Sequence, residues 1–139
     1  MADTRTPPTP FAFRLDLHSG VPVYRQIIDQ VMGGIASETL TPGDQLPTVR
    51  AVAVDLAINP NTVSRAYREL EIRGVLETQQ GTGTFIGNQK VKRDQVEHRR
   101  QLDRLVGEFV ARAGAAGFSV RDLIDELKEL QSDQQTRRK

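Results

Sequence analysis

The sequence has no cysteine among its 139 residues, so it can form neither disulfide bonds nor thiolate metal sites. Long apolar runs are missing too, since none approaches the roughly 18 residues that a membrane-spanning helix needs. The proline- and threonine-rich start lacks the apolar stretch of a signal peptide, and we expect residues 1–13 to form a disordered leader. These absences predict a cytoplasmic protein with no membrane partner.

Histidine is scarce as well. The two histidines, His18 and His98, lie far apart in the chain, and neither has the spacing of acidic residues that is typical of a metal or acid/base site. We therefore expect no catalytic residue, no metal and no cofactor, and we predict that the protein is not an enzyme.

An excess of basic residues, which is typical of nucleic-acid-binding domains, is also missing. Residues 1–91 contain 8 Lys and Arg against 9 Asp and Glu, whereas residues 92–139 contain 11 against 9. A nearly neutral total does not exclude DNA binding, because helix N-termini and backbone N–H groups also hold phosphates. The position of each charge therefore matters more than the sum.

The sequence does contain two short helical patterns in succession. The first begins after Thr48, whose hydroxyl can cap the free backbone N–H groups of a helix. Its apolar face comprises Val49, Val52, Ala53 and Leu56. In the second pattern, Pro60 suits the first helical position and favours Asn59 as the N-cap. The pair predicts a helix-turn-helix.

Along the second helix, Val63, Tyr67 and Leu70 recur at helical spacing and form the expected buried stripe. The other faces are polar and neutral to basic. In a helix-turn-helix the second helix enters the major groove with its first turn nearest the base edges. The expected reading positions are Asn61, Thr62, Ser64 and Arg65.

A glycine-rich hairpin follows the two helices. Gly74 suits the end of the second helix, and the segments 75–78 and 84–86 are rich in strand-forming residues. Between them, Gln80-Gly81-Thr82-Gly83 is the expected hairpin tip. A Gly-x-Gly motif alone is weak evidence, and its weight comes from its place after a helix pair. The whole pattern predicts a winged helix-turn-helix, a fold that binds DNA.

Several segments in the correct order resemble the DNA-binding domain of GntR-type bacterial transcription regulators. They are PTVR at 47–50, NPNT at 59–62, REL at 68–70, GVL at 74–76 and QGTGTF at 80–85. Segments 21–27 and 40–46 resemble the first helix of that domain and the turn leading to a short strand. The likeness runs from about residue 21 to 86, and NPNT with a short tail is similar to the YtrA-like subgroup. It implies a small helical dimerisation unit at the C-terminus.

The expected DNA contacts each have a plainer alternative, and for Asn61 and Thr62 it is that they are simply polar residues at a helix start. The resemblance implies that Arg50 contacts DNA, whereas a solvated arginine is the alternative. Asn59 is favoured as a cap over a base contact. Arg65 could instead pair with Glu69 one turn later, an arrangement that contributes only about a few tenths of a kcal/mol. The resemblance also favours backbone contacts from residues 80–83, which could otherwise form only a tight turn.

Two amphipathic helical patterns fill residues 93–135, after a polar linker at 88–92. The second pattern opens with Ser119 and Asp122 at the spacing of a capping box. Two helices alone have too small a core to hide both apolar faces, so we expect them to pack against a second copy. The expected dimer contacts are Leu102, Leu105, Val106, Phe109, Val110, Leu123, Ile124 and Leu127. Residues 136–139 lack apolar side chains and are expected to fray.

The predicted fold class is mainly α with a small β wing (α+β): a winged helix-turn-helix at 14–87 and a two-helix dimerisation hairpin after it. The leading hypothesis is a homodimeric transcription regulator, expected to be a repressor, that binds double-stranded DNA at a palindromic operator. A winged helix used for protein contact is the second hypothesis. A third, part of an aminotransferase-fused regulator, fails because only the 53 residues 87–139 follow Ile86. The sequence assigns no effector small molecule.

Overall fold

The computed structural model describes residues 11–88 and 95–138, and the chain divides into two compact units between residues 89 and 90. The first unit contains helices and a small sheet, and the second contains helices. In chain order the elements are α1 (Val23–Ala36), β1 (Gln45–Leu46), α2 (Val49–Leu56), α3 (Pro60–Ile72), β2 (Leu76–Gln79), β3 (Gly83–Ile86), α4 (Gln95–Ala115) and α5 (Val120–Arg138). The predicted class, mainly α with a small β wing, is confirmed.

The core of the first unit lies where its helices meet the sheet. Its most deeply buried side chains, each at most 1% exposed, include Ile27, Ile28, Val31, Val63 and Leu70. Helix α3 packs on α1, α2 and β2, so its inner face is covered by three elements. The buried stripe that helical spacing predicts for this helix is therefore confirmed.

The sheet has the strand order β1-β3-β2, and both pairs are antiparallel. Strands β2 and β3 form the predicted hairpin, but β2 lies one residue further along the chain than segment 75–78. The reason is that the Val75 N–H donates to the Leu70 carbonyl oxygen at 2.9 Å and so belongs to the end of α3. Strand β3 begins one residue earlier than expected because Gly83 pairs with Gln79.

The turn between α2 and α3 is defined by local hydrogen bonds. Thr48 caps α2 by accepting a hydrogen bond from the Ala51 N–H at 3.0 Å, and Asn59 caps α3 by accepting one from the Asn61 N–H at 2.8 Å. Between them, Ala57 adopts the left-handed conformation with φ 54°. Both predicted caps are confirmed, and the two helices begin where the sequence indicates.

The start of the described chain corrects the expected leader. Phe13 is 8% exposed and belongs to the core, and Phe11 packs edge-to-face against it with ring centroids 5.1 Å apart. The Gln30 side-chain amide pairs with the backbone N–H and carbonyl of Arg14. Residues 11–13 are therefore folded, because two aromatic rings and this amide hold them against α1. Residues 1–10 of the expected leader lie outside the described residues.

The second unit is a helical hairpin. Helix α4 ends in a turn in which Gly117 has φ +92° and the Phe118 N–H donates to the Ala113 carbonyl at 2.9 Å. The predicted capping box opens α5, since Ser119 and Asp122 exchange hydrogen bonds of 2.8 and 3.2 Å between side chain and backbone. Hydrogen bonding of the Asp122 carboxylate by the Ser119 backbone and side chain lowers the pKa of Asp122 below its ordinary value. Among the described residues of this unit, Ala113 is the one whose hydrophobic side chain is buried.

The boundaries of the second unit differ from the expected ones in one respect. Helix α5 continues to Arg138, so the tail expected to fray at 136–139 is helical as far as it is described. Of the expected linker at 88–92, all but Asn88 lies outside the described residues. Over the described ranges, no helix is both long enough and apolar enough to cross a membrane.

One buried polar contact ties α3 to the start of α2. The Tyr67 hydroxyl, on a side chain that is 2% exposed, donates to the Pro47 carbonyl oxygen at 2.7 Å. Burial raises the pKa of Tyr67 well above its ordinary value, because a buried phenolate would lose its hydration. The contact is thus stable only while the phenol keeps its proton.

We expect Tyr67→Phe to lower the free energy of unfolding at pH 7 by about 1 kcal/mol, because the Pro47 carbonyl loses its partner. The raised pKa gives wild type a stability that is present below about pH 10 and declines as the pH rises further. The Phe variant lacks this titration, so the difference should shrink above about pH 10. Urea unfolding of both proteins, followed by circular dichroism at pH 7 and above about pH 10, measures this difference in stability. Tyr24→Phe is the control at pH 7, and equal stability of wild type and Tyr67→Phe would contradict the role of this bond.

Candidate nucleic-acid interface

The outer face of α3 is the main candidate surface. Helical geometry places Asn61, Ser64, Arg65 and Arg68 opposite the buried stripe, and Asn61, Arg65 and Arg68 are exposed. Ser64 and Thr62 are half-buried at its edges. The Asn61 side chain makes no hydrogen bond within residues 11–88, so its amide is free to bind an external partner.

Arg65 makes a contact that the sequence did not predict. Its guanidinium carbon lies over the ring of Tyr24 in α1, 3.8 Å from the ring centroid. Glu69, the alternative partner, instead binds Arg73 at 2.8 Å. The alternative pairing of Arg65 with Glu69 is not formed, because Arg73, the C-cap of α3, binds the same carboxylate.

Arg50 lies in the first turn of α2. Its side chain is exposed and forms no ion pair or hydrogen bond within the part of the chain that the structure describes. The neighbouring Thr48 hydroxyl accepts the Ala51 N–H, so it is occupied as a cap. Arg50 thus has the unpaired charge that phosphate binding requires.

The wing tip is a tight turn at Gln80-Gly81-Thr82. The Thr82 N–H donates to the Gln79 carbonyl oxygen at 3.0 Å, and Gly81 has φ +78°. Gly83 follows with φ +139°, and a Cβ built on it would lie 2.5 Å from the amide nitrogen of Gln45. That nitrogen donates to the Thr82 carbonyl oxygen at 3.2 Å. The wing therefore has a defined shape, and Gly83 is required for it.

A second contact joins the wing to α3. The Thr78 hydroxyl of β2 donates to the Glu71 carboxylate of α3 at 2.6 Å. At the base of the hairpin, Gly74 has φ +77° and the Gly87 N–H donates to the Val75 carbonyl oxygen at 2.8 Å. Wing and helix are consequently held in one arrangement by side-chain and backbone bonds.

The ten predicted DNA-binding residues fall into three groups of the first unit: the start of α2, the first turns of α3 with its cap, and the wing tip. Asn59 is occupied by its capping bond, which agrees with the favoured interpretation as a cap. The sequence analysis missed Tyr24 and Gln45 as supports of Arg65 and the wing. No local signal identifies Tyr24 or Gln45, since each contacts a partner more than thirty positions away. Arg68, by contrast, lies on the outer face of α3 by helical spacing alone.

The interface is suited to recognition rather than to chemistry. Asparagine and arginine side chains supply hydrogen-bond donors and acceptors that match base edges. Within the described ranges, no group of His, Cys, Asp or Glu is arranged to hold a metal. Such a surface can read a nucleic acid through polar contacts.

The comparisons with known proteins agree with this geometry. Residues 23–86 match the family described as bacterial regulatory proteins, gntR family. The uncharacterized HTH-type transcriptional regulator YhcF of Bacillus subtilis is 36% identical over 110 residues, which are 79% of this chain and 90% of that protein. The HTH-type transcriptional repressor YtrA of Bacillus subtilis is 36% identical over 121 residues, which are 86% of this chain and 92% of that protein.

The chain belongs to the gntR family. A solved structure, YtrA from Sulfolobus acidocaldarius, a GntR-family transcription factor, is similar with a TM-score of 0.53 and 32% identity, covering 73% of this chain and 99% of that one. The predicted winged helix-turn-helix followed by two helices is confirmed. As a member of this family the protein is a DNA-binding transcriptional regulator, and the prediction that it is not an enzyme is confirmed as well.

We expect Gly83→Ala to lower the free energy of unfolding by about 1 to 3 kcal/mol, because alanine is strained at φ +139°. The Gln45 amide that its Cβ would meet is the end of an exposed side chain and can move away. Gly33→Ala is the matched control: this glycine lies in α1 with open space around it, so alanine should stabilise the helix by about 0.5 to 1 kcal/mol. Chemical denaturation of both variants measures the difference. A Gly83→Ala protein as stable as wild type would contradict the required wing shape.

Proposed function

We propose that the protein is a homodimeric repressor that binds a palindromic operator through α3, from Pro60 onward, and through the wing at residues 81–83. The observation that carries this proposal is the outer face of α3, where Asn61 and Arg65 are exposed while the inner face is buried. Asparagine and arginine are suited to adenine and guanine edges in the major groove. The cytoplasm, where a bacterial regulator meets its operator, is the proposed location.

The charge distribution supports DNA binding despite the slightly acidic total of the first unit. Asp29 pairs with Arg25 at 3.5 Å, and Glu69 pairs with Arg73 at 2.8 Å. These exposed pairs cancel charge locally. Arg50, Arg65 and Arg68 form no ion pair within residues 11–88. Within residues 11–88, Arg14, Arg50, Arg65 and Arg68 therefore remain unpaired, and three of these four lie at the candidate interface.

The second unit supports the homodimer. Its apolar side chains stay exposed in the single chain: Leu102 46%, Leu105 56%, Val106 51%, Phe109 48%, Ile124 46% and Leu127 53%, while Val110 and Leu123 are half-buried. A contiguous apolar surface of this kind marks an interface rather than a solvated face. A second copy presents the same stripe, and twofold symmetry then makes a self-complementary contact.

Twofold symmetry also supports a palindromic operator, because two identical reading helices meet two identical half-sites. Repression is the direction proposed, since a dimer on an operator obstructs polymerase and since YtrA of Bacillus subtilis, 36% identical, is described as a repressor. No effector ligand is part of this proposal.

Selection of bound duplexes from a random pool by the full-length protein tests the proposal. We expect a palindromic sequence, bound with an affinity that falls with salt at about −0.9 in logarithmic slope per neutralised phosphate. Asn61→Ala should weaken binding to the selected operator by about 1 to 3 kcal/mol and leave a scrambled duplex nearly unchanged.

The Asn61 substitution is a clean probe, because the Asn61 side chain makes no hydrogen bond within residues 11–88 and the Asn59 cap binds only the Asn61 backbone N–H. Thermal unfolding should therefore match that of wild type. A folded protein that enriches no duplex in low salt would overturn the DNA-reading proposal in favour of a protein-contact module. Equal losses on operator and scrambled DNA would contradict the assignment of Asn61 to base reading.

We expect wild type to be a dimer at micromolar concentration and Leu105→Asp to be monomeric, because the dimer would otherwise bury a charge in an apolar contact. Size-exclusion chromatography with light scattering measures this. Leu17→Asp is the control, since Leu17 is 79% exposed in the first unit, outside the apolar stripe. A monomeric wild type, or a dimeric Leu105→Asp protein, would refute the role of this surface.

A further inference from the structure

Helix α1 contributes an aromatic platform to the candidate interface. Tyr24 is the second residue of α1, and its half-buried ring packs against the hydrophobic core. The guanidinium carbon of Arg65 lies over this ring, 3.8 Å from its centroid. The two residues are 41 positions apart in sequence, so the stack joins two elements that the core has already fixed.

The stack leaves the hydrogen-bonding capacity of Arg65 intact. A guanidinium that lies over an aromatic face keeps its five N–H donors, which point outward in its own plane. Arg65 forms no ion pair within residues 11–88, and Glu69, one turn later on α3, is bound to Arg73 at 2.8 Å. The result is a cation whose position is restricted and whose donors are unused.

The position of Arg65 also suits DNA reading. Arg65 follows Asn61 by four residues, which places the two on the same exposed face of α3, about 6 Å apart along the helix axis. An unsupported arginine loses much of its rotamer freedom when it binds a base, whereas a stacked one has lost part of it beforehand. Tyr24 therefore has a means of favouring DNA reading without touching DNA.

We propose that Tyr24 is a positioning residue for base recognition: it holds the Arg65 guanidinium over its ring so that Arg65, on the same exposed face of α3 as Asn61, reads a guanine in each operator half-site. This inference rests on the proposed operator-binding function. Guanine is the base named because its O6 and N7 acceptors match two arginine donors in the major groove. The platform thus links α1, which carries no predicted reading residue, to the sequence preference of α3.

A double-mutant cycle on the full-length protein tests the proposal. The variants are Tyr24→Phe, Tyr24→Leu, Arg65→Ala and the double variant Tyr24→Leu/Arg65→Ala, each titrated on the selected operator, on operators with each base pair replaced, and on scrambled DNA. Phe keeps the ring face, so its affinity should stay within about twofold of wild type. Leu keeps apolar volume but has no ring, and we expect it to lose about tenfold on the operator and little on scrambled DNA.

Coupling separates positioning from a structural role. In the Arg65→Ala background the Leu substitution should cause no further loss, because the residue through which it acts is gone. Tyr24→Leu and Arg65→Ala should lose the same guanine preference at the same operator position. A Leu variant that weakens operator and scrambled DNA alike, or that weakens binding equally in both backgrounds, would overturn the proposal.

A second measurement does not depend on variant folding. In wild type without DNA, the side-chain NMR signals of Arg65 should be shifted upfield by the Tyr24 ring current, and the shift should persist in Tyr24→Phe. Unshifted signals would overturn the platform itself. A folded wild type that enriches no duplex refutes the proposed function, whereas a wild type that binds its operator with no coupling between positions 24 and 65 refutes only the role of Tyr24.

Discussion

The burial of one side of α3 is the constraint on which the rest of the interface depends. Val63, Ala66 and Leu70 are fully buried against α1, α2 and β2, which fixes the rotation of the helix about its axis. Because side chains on an α-helix repeat every 3.6 residues, fixing the inner stripe also fixes which residues face outward. The exposure of Asn61 and Arg65 is therefore a consequence of core packing, and a rotation of α3 would have to expose its apolar stripe.

Polar side chains set the remaining degrees of freedom by bonding to backbone groups. Asn59 fixes where α3 begins, Tyr67 ties its middle to Pro47, and Gln45 holds the wing through the Thr82 carbonyl. Each bond satisfies a donor or acceptor that hydrophobic packing alone would leave free, so it adds direction to a core that is otherwise non-directional. Glu71 and Thr78 complete this framework by joining α3 to β2.

Features set by interactions between neighbouring residues could be predicted from the sequence, whereas contacts between distant residues could not. The caps at Thr48 and Asn59, the stripe of α3 and the turn at Gly74 are local codes, and the structure confirms them. The contacts between Tyr24 and Arg65 and between Gln45 and Thr82 join distant positions, so no spacing rule reveals them. The folding of Phe11 and Phe13 was missed for the same reason, since their partners lie in α1 and beyond, whereas the composition around them is typical of a disordered leader.

The distribution of charge explains how a nearly neutral unit can still select DNA. Arg25 and Arg73 are paired with Asp29 and Glu69 one turn away, so each charge is largely neutralised by its partner and adds little to the attraction for phosphates. Only a few unpaired cations then contribute to non-specific, salt-dependent binding. In the proposed function, a larger share of the binding free energy then comes from base contacts, from backbone N–H groups on phosphates, and from groups held in place before DNA arrives. A pre-stacked Arg65 is the kind of group that such an interface requires.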